Sequence, residues 1–462
     1  MVMEVGLGDA MRAWATTLPG RHGGRGLVWA LVAVLALAFI ARAVAAVYGW
    51  DFRNGSDADM YERLAAQLYR DGEFGIPGSA NPYDFAPGAP LFAAAIYNLI
   101  GDVSPLAARL GLAVAGTLGV LVVYLLGRRL AGPRAGLVAA GLAAVYPPTL
   151  FYTSLLSAEP LAVLTVAGAV LAFLWAADHG RSPWAWERPG LLLGLTALLR
   201  PEYLALTALL ALLAVVLVGR RAGPWRGVAA GGLMALAFAA TIAPWTVIAS
   251  TDLGRFVPVS TGGGKALFIG TYLPGDGLHE RTKQHLYHRF RGSDPSPEQL
   301  RQLPMNPMLD QVAKAYPELR RDEALGRVGR ENLIRWATHE PRALAQMIVG
   351  KIAHMWHGSG SPSYMPAGGA VHYLVLVAGL AGLALLFARR RWEVLPILVL
   401  LVGISLIGGL LLAGTRRNLP VMPLVIALAA VGLTTAAEWS RERAAGRRVP
   451  EAEAVESVLA PH

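Results

Sequence analysis

Two carboxylates near the start of the chain are the first residues that could do chemistry. Asp57 and Asp59 lie in the run 56–63 (SDADMYER), a few residues beyond a long apolar segment. A carboxylate held there can act as a general base on a hydroxyl group or bind a divalent cation through its oxygens. Ser56 and Asp57 are equally suited to cap a helix, because Ser and Asp are favoured at that position. The two roles are compatible, and both stay open.

A third acidic residue, Glu159, stands at the start of another apolar segment and is followed by Pro160. This pattern is typical of a helix N-terminus, where the helix dipole favours negative charge. An ionisable side chain at a membrane boundary is also a candidate functional residue. Asp57 and Glu159 are therefore the candidate catalytic residues.

Several basic residues stand near the ends of the apolar segments. Arg42 and Arg109 are expected to extend along apolar surface to lipid headgroups. Arg200 is followed by a proline, which interrupts the helix and leaves a polar pocket beside the break. Arg255 and Lys265 flank a glycine-rich segment and could bind a phosphate group.

The glycines of residues 261–265 (TGGGK) do not form a nucleotide-binding loop of the Walker type. Val259 stands where that motif requires its first glycine, and Ala266 stands where it requires Ser or Thr. The sequence therefore predicts no nucleotide cofactor. His354 and His357 are spaced to share a helix face and bind a metal, but on a surface-lying helix solvated imidazoles are the expected outcome.

The elements that position these residues follow from composition. The chain has 462 residues, of which 55% are hydrophobic and 16% charged, which is typical of an integral membrane protein. A helical span needs about 20 apolar residues. The segments that qualify are 27–48, 105–126, 135–146, 158–177, 227–249, 370–388, 394–413 and 419–436, together with 190–218, which breaks at Arg200 into two short helices. We predict an all-α polytopic membrane protein with about ten transmembrane helices (roughly nine to thirteen).

Clusters of arginine predict the orientation. They occur at 21–25, 128–134, 181–188, 220–226, 389–391 and 441–448. All fall on one side of the predicted spans, which the positive-inside rule makes cytoplasmic. The loop regions 49–104 and 250–345, with their juxtamembrane helices, are then extracytoplasmic, and the protein belongs in the plasma (inner) membrane. The net charge of +10 is an orientation signal and does not indicate nucleic-acid binding.

The same pattern predicts four parts. Residues 1–249 form an N-terminal transmembrane catalytic module, 250–345 an outer loop region, 346–440 a C-terminal transmembrane module and 441–462 a cytoplasmic tail. There is no cysteine, so neither disulfides nor thiolate metal sites contribute.

A set of short motifs resembles a known family. They are Asp57-x-x-x-Tyr61-x-x-x-Ala65, 86–91 (APGAPL), 151–160 (FYTSLLSAEP), 199–201 (LRP), 243–245 (APW) with 254–260 (GRFVPVS), and 416–420 (RRNLP). In this order they resemble the GT-C glycosyltransferases that use polyprenyl-phosphate sugars, the bacterial relatives of protein O-mannosyltransferases and of the lipid A aminoarabinose transferase. The resemblance covers nearly the whole chain.

The resemblance implies a membrane enzyme that takes a sugar from a polyprenyl-phosphate donor and passes it to a glycolipid, glycan or protein acceptor at the extracytoplasmic face. Asp57 would be the general base, with Asp59 or Glu159 assisting and Asp59 holding a divalent metal. Arg255 and Lys265, and after them Arg200, would hold the donor phosphate.

One departure concerns the substrate. The aminoarabinose enzyme has lysine before its Pro-Pro pair, whereas here Ala86 precedes Pro87 and Gly88. This departure argues against aminoarabinose as the sugar.

Two other classes of protein remain as alternatives. A lipid or glycan transporter would place broken helices and charges at the bilayer midplane, often in repeated halves, and no repeat is visible in the sequence. A polymerase or ligase that uses a lipid-diphosphate-linked glycan would need a basic outer loop, for which the stretch 281–291 with His285 and His288 is a candidate.

Overall fold

The computed structural model describes residues 23–48, 57–75, 82–179, 182–302, 304–358 and 366–446. Secondary structure in these ranges is helical, apart from one isolated bridge between Leu278 and Ala413. The prediction of an all-α polytopic membrane protein is confirmed. Ser56, one of the two residues suited to cap the helix at Asp57, lies outside the described residues.

The helices in the described ranges are numbered in chain order. They are α1 (Gly23–Val47), α2 (Asp57–Asp71), α3 (Gly88–Ile100), α4 (Pro105–Ala144), α5 (Pro147–Ser154), α6 (Glu159–Asp178), α7 (Glu187–Leu199), α8 (Tyr203–Ala222), α9 (Pro224–Leu253), α10 (Gly263–Thr271), α11 (His279–Arg291), α12 (Pro297–Gln302), α13 (Asn306–Ala313), α14 (Arg321–His339), α15 (Pro341–His357), α16 (Pro366–Ala388), α17 (Val394–Leu410) and α18 (Met422–Gly446). A 3-10 segment, Thr415–Val421, leads into α18.

Among the described residues, seven helical segments are long and apolar enough to cross a membrane, and they lie in α1, α4, α6, α8, α9, α16 and α18. α4 contains two of the predicted spans, because its 40 residues are interrupted at Ala131 and Gly132, where glycine adopts a φ of 86°. The two arms fold back on each other, since a Cβ at Gly136 would lie 2.7 Å from the Tyr124 carbonyl oxygen. The predicted break at Arg200 separates α7 from α8; α7 is short, with 13 residues, whereas α8 has 20 residues and is long enough to cross a membrane.

Arg42 does not extend to lipid headgroups, so that expectation is wrong. Its side chain is buried and donates hydrogen bonds of 3.0 and 3.1 Å to the carbonyl oxygens of Ala143 and Ala144. These carbonyls end α4, and the last carbonyls of a helix lack partners within the helix. Arg109 is half-buried and donates to the Ser154 carbonyl oxygen at 3.4 Å.

The two predicted outer segments, 49–104 and 250–345, pack against each other and against the end of α9. The Thr261 amide donates to the Tyr83 carbonyl oxygen at 2.8 Å, and the Trp245 indole N–H donates to the Val259 carbonyl oxygen at 2.7 Å. The rings of Phe74, Tyr83 and Trp245 pack together, with 4.6 Å between the Phe74 and Trp245 centroids. The glycine-rich segment before α10 is thereby fixed against the N-terminal outer segment.

The C-terminal helices approach closely at glycine. A Cβ at Gly382 of α16 would overlap the Leu428 carbonyl oxygen of α18, and one at Gly432 would lie 2.6 Å from the Ala378 carbonyl oxygen. Small residues at such crossings let helix backbones approach within the bilayer. The contact fixes α18, and with it the 3-10 segment that precedes α18.

Gly382→Val should therefore separate α16 from α18. It should lower the free energy of unfolding by about 1–3 kcal/mol, the usual cost of overpacking, and lower the melting temperature with it. Gly141→Val is the matched control, because a Cβ at Gly141 of α4 meets no atom within 4 Å. Thermal unfolding in one detergent measures both variants. Equal melting temperatures would contradict the close approach.

Candidate active site

Three elements distant in the sequence bring two carboxylates onto one guanidinium group. Asp57 is the first residue of α2 and Glu159 the first residue of α6. Arg416, in the 3-10 segment before α18, lies 2.5 Å from Asp57 (Nη2 to Oδ2) and 3.1 Å from Glu159 (Nε to Oε1). Asp57 and Arg416 are 359 residues apart in the chain. The sequence-predicted catalytic pair is brought together through a residue to which no role was assigned.

The 3-10 segment that carries Arg416 is held in place by Asn418. The Asn418 side chain is buried and donates to the Met355 carbonyl oxygen at 2.7 Å, near the end of α15. Pro420 lies within the segment, and proline limits the backbone conformations of the residues around it. Arg416 is thus presented from a fixed backbone.

Arg200 approaches Glu159 from the other side. It follows α7 in an extended conformation, φ −144° and ψ 98°, as expected for a residue before proline. Its guanidinium pairs with Glu159 and lies 3.8 Å from Glu202 Oε1. Glu202 in turn lies 3.7 Å from Arg417 Nη1.

These contacts form an alternating row that we call the charge chain: Asp57, Arg416, Glu159, Arg200, Glu202 and Arg417. Its three acids balance its three arginines. The balance matters because an unpaired charge in a buried site is strongly destabilising.

The side chains of the charge chain differ in how far they are exposed to solvent. The Asp57 side chain is 44% exposed, whereas that of Glu159 is 2% exposed. A ligand can contact Asp57 and cannot contact Glu159 without displacing protein. Asp57 is therefore the accessible carboxylate of the pair, whereas Glu159 is enclosed by protein.

The charge chain also sets the protonation of its outermost acid. Partial burial raises the pKa of Asp57, but the charges of Arg416 and Lys265 and the hydrogen bond from Arg416 outweigh that effect. The pKa of Asp57 therefore lies below its ordinary value, and the group is ionised at neutral pH. For Glu202, burial likewise raises the pKa, and Arg417 and Arg200 bring it below its usual range.

A cavity of about 510 Å³ opens beside Asp57. Its basic lining residues are Arg200, Lys265, Arg416 and Arg417, and its acidic ones are Asp57, Asp84 and Glu280. Lys265 lies 3.5 Å from Asp84, across the contact between the two outer segments. The predicted phosphate-binding residues Lys265 and Arg200 both reach the cavity.

Two predicted site residues lie elsewhere. Arg255 is not among the residues that line this cavity; it pairs with Asp322 and lies 3.4 Å from Glu323, both on α14. Asp59 lies 3.0 Å from Arg63 one helical turn along α2.

Among the residues that the structure describes, no group of three His, Asp or Glu side chains is placed to hold a metal ion. Asp57 and Glu159 share the Arg416 guanidinium, and Asp59 contacts Arg63. The metal role expected of Asp59 has no support among the residues the structure describes.

Sequence reasoning missed Arg416, Arg417 and Glu202 as site residues. The signal available was orientation: Arg416 and Arg417 precede an apolar segment at its outer end, whereas the other arginine clusters mark the opposite side. Basic residues that break the positive-inside pattern are candidates for a site.

Because Arg416 is the leading cause that lowers the pKa of Asp57, Arg416→Gln should raise that pKa. Burial remains in the variant and acts in the opposite direction, so protonation should begin at higher pH than in the unaltered protein. Infrared titration of the protonated carboxyl band measures this, with Asp57→Asn spectra subtracted to isolate Asp57. An unchanged titration would show that Arg416 does not govern Asp57.

A family model described as dolichyl-phosphate-mannose-protein mannosyltransferase matches residues 84–245. The matched region contains Glu159 and Arg200, and it contains neither Asp57 nor Arg416. The comparison with curated proteins found no match in sequence.

Solved structures of an archaeal enzyme share the fold. The oligosaccharyltransferase of Archaeoglobus fulgidus in complex with Zn and sulfate is 15% identical, with a TM-score of 0.54 over 90% of this chain and 50% of that one. The same enzyme tethered to an acceptor peptide containing an NVT sequon is 15% identical, with a TM-score of 0.50 over 88% and 49%. ArnT from Cupriavidus metallidurans bound to undecaprenyl phosphate is 18% identical, with a TM-score of 0.40 over 89% and 77%.

The chain spans about half the length of the archaeal enzyme. The family match covers Glu159 and Arg200, and the fold shared with the archaeal enzyme extends over most of the chain. The chain is thus similar in sequence to that mannosyltransferase family over residues 84–245 and similar in fold to the archaeal oligosaccharyltransferase.

Proposed function

We propose that this protein transfers a sugar from a polyprenyl-phosphate donor to the hydroxyl group of a glycolipid, glycan or protein acceptor. The observation that carries the proposal is an ionised, half-exposed Asp57 at a cavity lined by four basic side chains. The description of the matching family, which names a dolichyl-phosphate sugar, supports a lipid phosphate donor.

In the proposed reaction the acceptor oxygen attacks the anomeric carbon of the donor sugar. Asp57 accepts the hydroxyl proton, the bond between the anomeric carbon and the phosphate oxygen breaks, and the lipid phosphate leaves with the bonding electrons. Cations fixed beforehand around the leaving phosphate stabilise the charge that develops there. The donor bond supplies the driving force, so the reaction needs no nucleotide.

The basic residues differ in their suitability to bind the phosphate. Lys265 is part-exposed, and its nearest carboxylate oxygen in an ion pair is 3.5 Å away, so a phosphate can compete for it. Arg416 and Arg417 line the same cavity. The Arg200 side chain is 10% exposed, against 32% for Arg416 and 17% for Arg417, so a phosphate reaches it least easily. We assign Lys265, Arg416 and Arg417 to the phosphate and Arg200 to the positioning of Glu159.

The roles of the acidic residues follow from their exposure. Asp57 would be the base, and Glu159 would be a positioning residue that orients Arg416 toward Asp57. The site lies at one end of the bundle, beside the starts of α2 and α6. A transporter would place its charged groups at the midplane. The arginine clusters support an extracytoplasmic position for this end, in a plasma membrane.

The reaction is tested with purified protein and a panel of radiolabelled polyprenyl-phosphate sugars, with nucleotide sugars as the competing class. We expect consumption of a polyprenyl-phosphate sugar and release of polyprenyl phosphate. Consumption of nucleotide sugars alone would refute the proposed donor class.

Asp57→Asn should lower the transfer rate about 100-fold to 10,000-fold, because an amide cannot accept the proton that a general base removes. Helix formation should be little affected, since Asn caps a helix about as well as Asp. Asp59→Asn is the matched control on the same helix, two residues away and paired with Arg63. Near-normal transfer by a folded Asp57→Asn protein would assign Asp57 a capping role only.

Lys265→Gln should weaken donor binding by about 1.5–3 kcal/mol, the scale for a hydrogen bond to a charged group. Arg255→Gln is the control, because Arg255 pairs with α14 and does not line the cavity. Equilibrium binding of a non-transferable polyprenyl phosphate measures both. If Arg255→Gln weakens binding and Lys265→Gln does not, the phosphate lies on the other side of the glycine-rich segment.

A further inference from the structure

A second cavity lies at the opposite end of the bundle from the charge chain. α6 begins at Glu159 and ends at Asp178 after 20 residues, a length of about 30 Å. A cavity of about 690 Å³ surrounds its far end, bounded also by α4 and the start of α7. The arginine clusters assign this end to the cytoplasmic face.

The cavity has an apolar wall and a basic rim. Leu125 of α4 and Gly168, Leu171 and Ala172 of α6 form the wall, and the arginines of the rim are Arg128, Arg129 and Arg188. Such a surface matches a molecule that is apolar along its length and charged at one end.

An aromatic side chain stands on the rim. The Arg188 guanidinium lies 4.3 Å from the centre of the Trp175 ring, and the Trp175 side chain is part-exposed. Tryptophan concentrates at the level of lipid headgroups, where its ring faces both apolar and polar surroundings. The rim therefore lies at the height of a phosphate group in the membrane.

The charge of the lining selects an anion. Three arginines line the cavity together with one acid, Asp178. Asp178 is already bound to Arg129 at 2.7 Å, and Arg129 also lies 3.1 Å from Glu393. Over the lining residues the three arginines exceed the single acid, and Arg128 and Arg188 approach the cavity from α4 and α7.

We propose that this cavity binds one anionic phospholipid of the cytoplasmic leaflet. The phosphate contacts Arg128 and Arg188, and an acyl chain lies along Leu125 and Leu171. Basic pockets between transmembrane helices on the cytoplasmic side bind anionic headgroups by this chemistry. A free phosphate ion would leave the apolar wall exposed to water, which disfavours it as the occupant. The proposal does not depend on the sugar-transfer reaction.

Native mass spectrometry of the full chain, purified with phosphatidylcholine and titrated with phosphatidylglycerol, tests the headgroup contact. Arg128→Gln/Arg188→Gln should weaken phosphatidylglycerol binding about fivefold for each arginine. The matched control is Arg220→Gln/Arg441→Gln, two exposed arginines of the same face that do not line the cavity, and it should bind as the unaltered protein does.

A second variant tests the apolar wall without changing charge. Gly168→Leu should also weaken phosphatidylglycerol binding, because its side chain fills the wall; the backbone accepts a Cβ, whose nearest neighbour is Leu192 Cδ1 at 3.5 Å. Thermal unfolding in phosphatidylcholine confirms that each variant folds. Gly168→Leu remains a test if the double arginine variant does not fold.

Three results would overturn the proposal. Phosphatidylcholine could bind as tightly as phosphatidylglycerol, which would remove the headgroup selectivity. Soluble glycerophosphoglycerol or inorganic phosphate could displace the lipid at equal concentration, which would identify a simple anion site. Unchanged phosphatidylglycerol affinity in Gly168→Leu would place the lipid elsewhere on the protein.

Discussion

The arrangement at the end of the bundle where α2 and α6 begin depends on the guanidinium group that Asp57 and Glu159 share. Glu159 is buried at the start of α6, and a buried charge that lacks a partner is strongly destabilising. Arg416 and Arg200 are its partners from opposite sides. Because Arg416 also binds Asp57, the same charge balance joins the surface helix α2 to the C-terminal helices.

The same balance of charge weakens Asp57 as a base in the proposed reaction. Arg416 lowers the pKa of Asp57, which keeps the carboxylate ready to accept a proton and makes it a weaker proton acceptor. Brønsted behaviour then gives proton transfer a smaller share of the rate acceleration. The larger share in the proposed reaction falls to position and to the cations that meet the leaving phosphate. A site of this kind favours an anionic leaving group that the fixed cations can stabilise.

The outer segments complete the site because they pack on each other. The Tyr83 and Thr261 backbones are bonded, and Phe74, Tyr83 and Trp245 form the apolar contact beneath them. That contact places Lys265 at the cavity, whereas Arg255 pairs with Asp322 of α14. Two basic residues that flank one glycine-rich segment thus acquire different surroundings.

The sequence by itself determined the features that depend on neighbours in the chain. The apolar segments, the break at Arg200 and the helix starts at Asp57 and Glu159 follow from hydrophobic length, a following proline and helix-end chemistry. Only the tertiary structure decided which charges meet. Arg416 on Asp57, Arg42 on the end of α4 and Arg255 on Asp322 join residues far apart in the chain. Local patterns cannot specify such pairs, because they depend on how the helices pack.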